Sequence, residues 1–566
     1  MSLLFTSTAA VLISIGLLYR LYHRLLLSRA KHRSLRGHSK LSRRLARLVP
    51  FYEYDAAEVF ATDGADGTLA ARRRSAFYRL AEQLSTRAPA TIEATAALAP
   101  SVSDLQFTGA YRVPFQYRSV VQQHLKGGTF LAESDGVRVR DLDGNWYYDL
   151  FGSYGVNLLG NDFYKESIAS AAEIAGDLGP VLGPYHPIVA DNVERLQRVS
   201  GLDEVSFHMS GTEAVMQAVA LARYHTRRPR AVVFCGAYHG WWDGVQPGVG
   251  NQRSVNDVYT LKEMSEDTLT VLRTRHDIAC VLVNPLQALH PNAGASSDGL
   301  LISSDRSGGF DRAAYSAWLT ELRAVCSERN IVLIFDEVFV GFRLGLGGAQ
   351  AYFGVAADMV TYGKTLGGGL PVGALAGRAA LMKRYRDDRP TDICFARGTF
   401  NAHPYVMAAM NEFLKHAMRP EQIAAANHAE SVWNARATAM NAALEAEDLP
   451  IRVVNLSSIW MVTYSSPGRY NWMLQYYLRA EGLYLSWVGT GRFIFSHNYT
   501  DADFAEVRDR ILRAGRTMQA DGWWTVPAEL SNKRIKRQVL RELLATRFGT
   551  RRPAIEAPLP AEEARI

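Results

Sequence analysis

Only four cysteines occur in 566 residues: Cys235, Cys280, Cys326 and Cys394. None stand at Cys-x-x-Cys spacing and no histidine cluster accompanies them. That argues against a disulfide framework or a zinc site, and for a reducing compartment. Acidic residues are missing from residues 1–52, which hold ten of the 63 lysines and arginines. The remainder has 53 basic residues against 56 acidic, so the overall charge of +7 comes from the start of the chain. Residues 531–552 are basic again, with eight Lys or Arg against the single Glu542. The body is therefore not a nucleic-acid surface, whereas both ends suit a membrane surface. No internal repeat or extended low-complexity tract is found. Hydrophobic residues make up 48% of the chain, ample for a large core in two or three structural units.

The N-terminal stretch Leu3 to Tyr19 is uncharged, and apolar character continues past Arg20 to Leu27. A spanning helix needs about 20 residues, and seventeen plus a snorkelling Arg20 meet that. All flanking positive charge lies on the carboxyl side, which places the body in the cytoplasm. A single-span anchor over residues 1–30 is the expectation. A cleaved signal lacks a basic leading region and a small-residue cleavage site. An organelle presequence or an interfacial helix is the remaining alternative.

Residues 31–100 read as a basic stalk followed by accessory helices. Arg72-Arg73-Arg74 is expected on an exposed helix face, and Asp63-Gly64 in a turn. From about residue 100 the pattern becomes α/β. Strands are expected at 130–132 and 137–139 around a turn at Asp135-Gly136, and then at Trp146–Asp149. Apolar runs at 231–235, 278–283 and 331–335, separated by helical stretches, are what buried parallel strands require. Residues 292–309 look like a surface insertion.

Four motifs carry the chemistry. Ser210-Gly211-Thr212-Glu213-Ala214 opens a helix, leaving backbone N–H groups for a phosphate or serving as an ordinary cap. Tyr238-His239-Gly240-Trp241-Trp242 follows a strand, where an aromatic can stack on a heteroaromatic ring or join a surface cluster. Asp336 closes the run 331–335; a buried carboxylate there needs a partner. The partner could be a pyridinium N–H, a structural salt bridge or a metal. Val338, two residues on, can back the ring's other face. Lys364, in Thr361-Tyr362-Gly363-Lys364-Thr365-Leu366-Gly367-Gly368-Gly369, places an amine on a glycine-rich loop. Such an amine forms a Schiff base with an aldehyde cofactor, and a carboxylate keeps a pyridine nitrogen protonated. Gly398-Thr399-Phe400-Asn401 adds a hydroxyl on a turn.

In their order, these motifs resemble the class III pyridoxal-phosphate-dependent aminotransferases of fold type I. The similarity spans about residues 105–520 and includes Gly341-Phe342-Arg343 and Gly347-Gly348-Ala349-Gln350. It is nearest the branch of glutamate-1-semialdehyde aminomutase and of the aminotransferase modules of polyketide and peptide synthetases. The resemblance implies a large domain (161–415) with a mostly parallel sheet flanked by helices. It also implies an α+β small domain built from 101–160 and 416–525, with a basic helix and tail from 526 to 566.

Lys364 would be the Schiff-base lysine and Asp336 the partner of the pyridine nitrogen. Tyr238 with His239 and Val338 would flank the cofactor, and Gly211 and Thr212 would hold its phosphate. Thr399 would reach the phosphate bound by a partner subunit, which implies a homodimer with shared sites. Ser153, Tyr154, Trp241 and Asn284 are candidates for the substrate side, or else core aromatics and structural polar groups. The chain departs from the family where Asn284-Pro285 stands in place of Glu-Pro and Ala288-Leu289-His290-Pro291 replaces a glycine-rich continuation.

Transfer of an amino group from an amino-acid donor to a carbonyl acceptor is the expected activity. The anchor suggests an acceptor that is lipid-like or held on an acyl carrier. A 2,1-aminomutase of the glutamate-1-semialdehyde type and a non-catalytic membrane scaffold are the alternatives. No metal and no nucleic acid are expected.

Overall fold

The computed structural model describes residues 2–34, 37–111, 113–246, 250, 256–292, 309–485 and 492–549. Most of the expected surface insertion, residues 293–308, lies outside them.

The large domain is built on a seven-stranded sheet. Its strands are β4 (Glu204–His208), β5 (Arg230–Phe234), β6 (Val258–Leu261), β7 (Ile278–Val283), β8 (Val332–Asp336), β9 (Met359–Gly363) and β10 (Gly373–Gly377). Their order is β4-β10-β9-β8-β7-β5-β6. Only β10 runs against the others. Every residue of β7, β8 and β9 is buried, because helices cover both faces; this is why these strands read as unbroken apolar runs. With one strand excepted, all carboxyl ends share one edge, which therefore gathers Ser210, Tyr238, Asn284, Asp336 and Lys364.

The small domain combines distant parts of the chain. Strands β1 (Glu133–Asp135), β2 (Arg138–Arg140) and β3 (Trp146–Asp149) form a sheet with β15 (Leu483–Tyr484). A second sheet holds β13 (Ile451–Leu456), β14 (Ile459–Tyr464) and β16 (Arg492–Ile494). A separate hairpin of β11 (Tyr385–Arg386) and β12 (Arg389–Ile393) belongs to the large domain, where Tyr224 Oη donates to Asp392 O. The first hairpin begins three residues later than its sequence suggests, since Phe130–Ala132 lead into β1 without joining it.

Residues 51–100 are not a linker. Tyr52, Tyr54, Phe60, Phe77 and Leu80 are buried in one core with Trp433, Trp460 and Trp523 of the small domain. Arg73, expected on an exposed face, is wholly buried. It donates to the carbonyls of Gly522, Phe60, Thr62 and Thr525 and lies over the Tyr470 ring at 4.6 Å. Those four acceptors replace the water it loses.

The basic helix near the carboxyl end (Asn532–Arg547) is docked as well. It buries Ile535 and Val539, and its one acid, Glu542, accepts from Tyr52, Tyr54 and Arg469 at 2.9, 2.8 and 2.9 Å. Arg469 in turn pairs with buried Asp63 at 2.9 Å. The N-terminal helix (Ser2–Arg29) packs against the helix Glu266–Thr274, and the carbonyl of Ala30 accepts from Lys262 N at 2.7 Å. Within it, Val11–Arg29 is long and apolar enough to cross a membrane by length and composition.

Two outcomes follow. Replacing Arg469 with Leu strands the Asp63 charge in the core, and should lower unfolding stability by about 3–5 kcal/mol, read as a lower urea midpoint. Separately, burial pushes the carboxyl of Glu263 up to about 8, and the hydrogen bond from Tyr315 only partly offsets this. In the unfolded chain the group ionises near 4.5, so the unfolded state sheds this proton first. Its contribution to stability is then full below that value and is lost as pH rises toward 8. Glu263→Gln should leave Tm nearly unchanged below pH 4 and raise it at pH 8.

Candidate active site

Asp336 ends β8 at the carboxyl edge and is 4% exposed. Both carboxylate oxygens are engaged. Nδ1 of His239 donates to Oδ2 at 2.8 Å, while Thr361 Oγ1 and Val338 N both donate to Oδ1 at 3.2 Å. Thr361 lies beside Asp336 in the β8–β9 register, and Lys364 follows three residues on. Alternation along the chain turns Glu337 the other way. It accepts from Ala349 N at 2.8 Å and fixes the turn before the helix Gly348–Phe353. A side chain at Gly348 would lie 2.0 Å from its oxygen. Burial raises the Glu337 carboxyl to about 7, with backbone N–H donors pulling the other way.

Lys364 adopts φ +51°. Burial holds its amine below the ordinary lysine range. Asp336 raises it in part, and the Arg343 charge lowers it further. Its Nζ lies 5.2 Å from the centre of the Phe339 ring. Phe339 also packs on Gly155, where an added Cβ would meet it at 2.9 Å. The turn Gly152–Gly155, with Ser153 and Tyr154 both at positive φ, therefore lies one aromatic ring away from the amine.

The opposite wall is made of close backbone approaches. A Cβ on Gly211 would lie 2.5 Å from Val338 Cγ1, and one on Gly363 would lie 3.1 Å from the same atom. Glycine at 211 lets Val338 reach over the edge, and Gly363 relieves a tight contact with the same methyl. Ser210 caps the helix Gly211–Thr226, accepting from Glu213 N. The dipole and the unpaired N–H groups of that first turn point at the same edge. Thr212 Oγ1 would be 2.4 Å from a Cβ on Gly240, so the Tyr238-His239-Gly240 loop lies directly on the helix start. Tyr238 is 55% exposed at the mouth, and its carbonyl accepts from Asn284 Nδ2 at 2.9 Å.

The structure thus brings together Lys364, Asp336, His239, Tyr238, Val338, Gly211, Thr212 and Asn284, with Ser153 and Tyr154 nearby. Trp241 is 79% exposed, and its neighbour Trp242 packs on a separate core cluster. Thr399 is exposed, on a loop beside Glu213: a Cβ on Gly398 would sit 3.6 Å from Glu213 Oε2.

Two residues went unread from the sequence. Arg343, 1% exposed, donates to Ser458 Oγ, Phe495 O, Gly155 O and Asn157 O at 3.0, 2.8, 3.3 and 2.7 Å. Burial lowers it to about 10, so it remains a cation at neutral pH. Arg492, at the start of β16, donates to His290 Nε2 at 2.8 Å, joining the small domain to the segment after Asn284. Its partner was the only clue, since His290 lies in the Ala288–Pro291 segment already singled out in the sequence.

The arrangement fits pyridoxal phosphate. Gly211 and Gly363 let Val338 come over the edge, where it would back a flat ring. The helix start offers N–H donors to a phosphate, and Asp336 is placed for a ring nitrogen. The buried Nε2 of His239 has no hydrogen-bond partner among the described residues, and Lys364 supplies an amine suited to an aldehyde. Among the described residues no cluster of His, Cys, Asp or Glu suits a metal ion.

Comparison with known proteins agrees. The family model of class-III aminotransferases matches residues 119–514. The chain is 37% identical over 303 residues to glutamate-1-semialdehyde 2,1-aminomutase of Haloquadratum walsbyi, covering 51% of this chain and 63% of that protein. It is 30% identical over 395 residues to the same-named protein of Nitratidesulfovibrio vulgaris strain DP4, covering 67% and 90%. Among solved structures, a transaminase with PLP bound has TM-score 0.57 and 25% identity, covering 70% of this chain and 92% of that one. A glutamate-1-semialdehyde-aminomutase from Pseudomonas aeruginosa PAO1 has TM-score 0.63 and 18% identity, covering 79% and 99%; at that identity the likeness is one of fold.

Asp336→Ala should leave the far-ultraviolet circular dichroism unchanged. It should weaken pyridoxal phosphate binding by about tenfold or more, the equivalent of one lost charge-assisted hydrogen bond, as read by fluorescence titration. Unaltered affinity would remove Asp336 from the site.

Proposed function

The chain belongs to the class-III aminotransferases, and from that premise we propose that it moves an amino group from an amino-acid donor to a carbonyl acceptor, with pyridoxal phosphate as cofactor. The observation that supports this most is the buried His239–Asp336 pair at 2.8 Å, one strand away from the segment that carries Lys364. When bound, the cofactor supplies an aldehyde and a ring that takes up electrons. The chain's own residues do the rest. Asp336 would hold the proton of the ring nitrogen and is itself fixed by His239. Tyr238 and Val338 confine the ring between them, and Gly211 and Thr212 hold the phosphate. Lys364 Nζ carries the proton removed from the donor's α-carbon. Its desolvation keeps a larger share of the amine neutral than in water, as a base requires.

Class-III aminotransferases are generally homodimers, and in this reading Thr399 completes the phosphate site of a partner subunit. The exposure of Thr399 on its own chain supports that role. The N-terminal helix serves as a single-span anchor with the catalytic body on the cytoplasmic side, and the acceptor is lipid-like or presented on an acyl carrier. Ser153, Tyr154 and Asn284 face the substrate.

The printed names of the relatives support a second reading, a 2,1-aminomutase that shifts the amine within one molecule. A donor requirement separates the two. Purified holoenzyme in detergent should convert its cofactor from the aldehyde to the amine form when a single amino acid is added, visible as loss of the near-400 nm band. Conversion by one amino acid, with release of the matching 2-oxo acid, establishes transamination. A band unchanged by every amino acid but responsive to an amino-aldehyde would establish the mutase instead. Lys364→Ala should abolish either response.

A further inference from the structure

The N-terminal helix has a direction relative to the active site. Its carboxyl end lies at the carboxyl edge of the sheet, where Ala30 O accepts from Lys262 N, the residue after β6. Ser34 Oγ is 3.7 Å from Cys235 Sγ, the residue after β5. From there the helix runs back along the helix Glu266–Thr274, which descends from the same edge. The docked stripe is His23, Leu26, Leu27 and Ala30, at helical spacing and less exposed than the residues around it.

Eleven residues before Ala30, about 16 Å along the axis, Tyr19 stands near Arg275, which follows the last residue of that neighbouring helix. Arg275 is raised chiefly by its hydrogen bond to Asp277, with Tyr19 among the smaller causes. Arg275 lies just before β7, at the amino edge. Beyond it Val11, Leu12, Ile13, Ile15, Leu17 and Leu18 are each more than half exposed. The apolar half of the helix therefore leaves the body past the amino edge, opposite the site.

That edge carries several arginines beside the acids Asp257, Asp277, Glu328 and Asp358. Arg228, Arg230, Arg275 and Arg329 gather there. Arg230 and Arg275 share Asp277, Arg228 donates to the carbonyls of Ile278, Arg329 and Asn330, and Arg329 donates to His276. Arginines beside an emerging apolar helix suit anionic lipid headgroups.

We propose that the bilayer lies against the amino edge of the large sheet, so that the active site opens into water on the far side; of the two acceptor classes proposed above, this selects a carbonyl brought through water, as on an acyl carrier, over a lipid embedded in the membrane. This rests on the proposed anchor and the proposed transaminase reading. The sheet itself separates the two faces by about 16 Å, five residues at the rise of a strand. The exchange is balanced: the acceptor's C=O becomes CH–NH3+ and gains two electrons. The donor's CH–NH3+ becomes the C=O of a 2-oxo acid and loses two, with no outside oxidant.

The test uses the full-length holoenzyme in nanodiscs of mixed phosphatidylcholine and phosphatidylglycerol. In a Cys394→Ser background, Glu328→Cys probes the amino edge and Glu266→Cys the carboxyl edge; both positions are exposed. A bimane label at 328 should be quenched by doxyl-labelled lipid and one at 266 should not. The reverse pattern, quenching at both, or quenching at neither overturns the orientation. In parallel, a short-chain aldehyde in water should be aminated with kcat/KM about tenfold or more above the same aldehyde head on a sixteen-carbon chain in the disc, a difference of about 1.4 kcal/mol. Equal or better use of the membrane-borne aldehyde overturns the substrate class. If neither aldehyde is aminated with any donor, the transaminase reading and with it the acceptor class fail, while the quenching still decides the orientation.

Discussion

The guanidinium of Arg343 holds the active site together. It is a cation taken out of water with, among the described residues, no carboxylate paired to it, a placement that costs several kcal/mol unless its donors find acceptors; both terminal nitrogens do, while Nε finds none among those residues. The acceptors come from three parts of the chain: the turn at Gly155 and Asn157, Ser458 beside β14, and Phe495 after β16. The large domain contributes the arginine; the small domain and the turn contribute the oxygens. Closure of one domain on the other is thus written into one side chain. The same charge also lowers the basicity of Lys364, so the residue that fixes the architecture also tunes the amine within it.

Glycine plays the complementary part. Gly211, Gly363 and Gly348 stand where a single carbon would collide with Val338 or Glu337. What they create is absence of volume, and a flat cofactor needs that absence as much as it needs Asp336. The paired carboxylates of Phe335-Asp336-Glu337-Val338 divide the labour by strand alternation: one faces the site, the next clamps the turn behind it.

Much of this was legible in the sequence because it is local. A strand ending in Asp336, a glycine loop bearing Lys364 and a capped helix at Ser210 each announce themselves within a dozen residues, and parallel strands bring their ends to one edge. The parts that went unread are those whose partners lie far away. Arg343 sits in a quoted motif, yet its acceptors are more than a hundred residues distant. Arg73 looks like one of three surface arginines until the carbonyls near Gly522 and Thr525 are seen to enclose it. Residues 51–100 lack a strong pattern because their apolar face is completed by tryptophans from the other end of the chain. Composition marked the last helix as basic; the single acid in it, Glu542, proved to be the residue that matters to the fold.

The clasp of Tyr52, Tyr54, Asp63, Arg469 and Glu542 sets an order for the making of the protein. Tyr52 and Glu542 are 490 positions apart, an interval of about half a minute to over a minute and a half at 5–20 residues per second on the ribosome. During that time the first aromatic residues of the small domain have no partners, and the N-terminal helix has already been synthesised. The large domain, whose strands and helices are contiguous from Glu204 to Gly377, can settle while the chain is still growing. The small domain must wait for the end of translation. Until then its exposed aromatic surface depends on chaperones, or on closeness to the membrane, for protection.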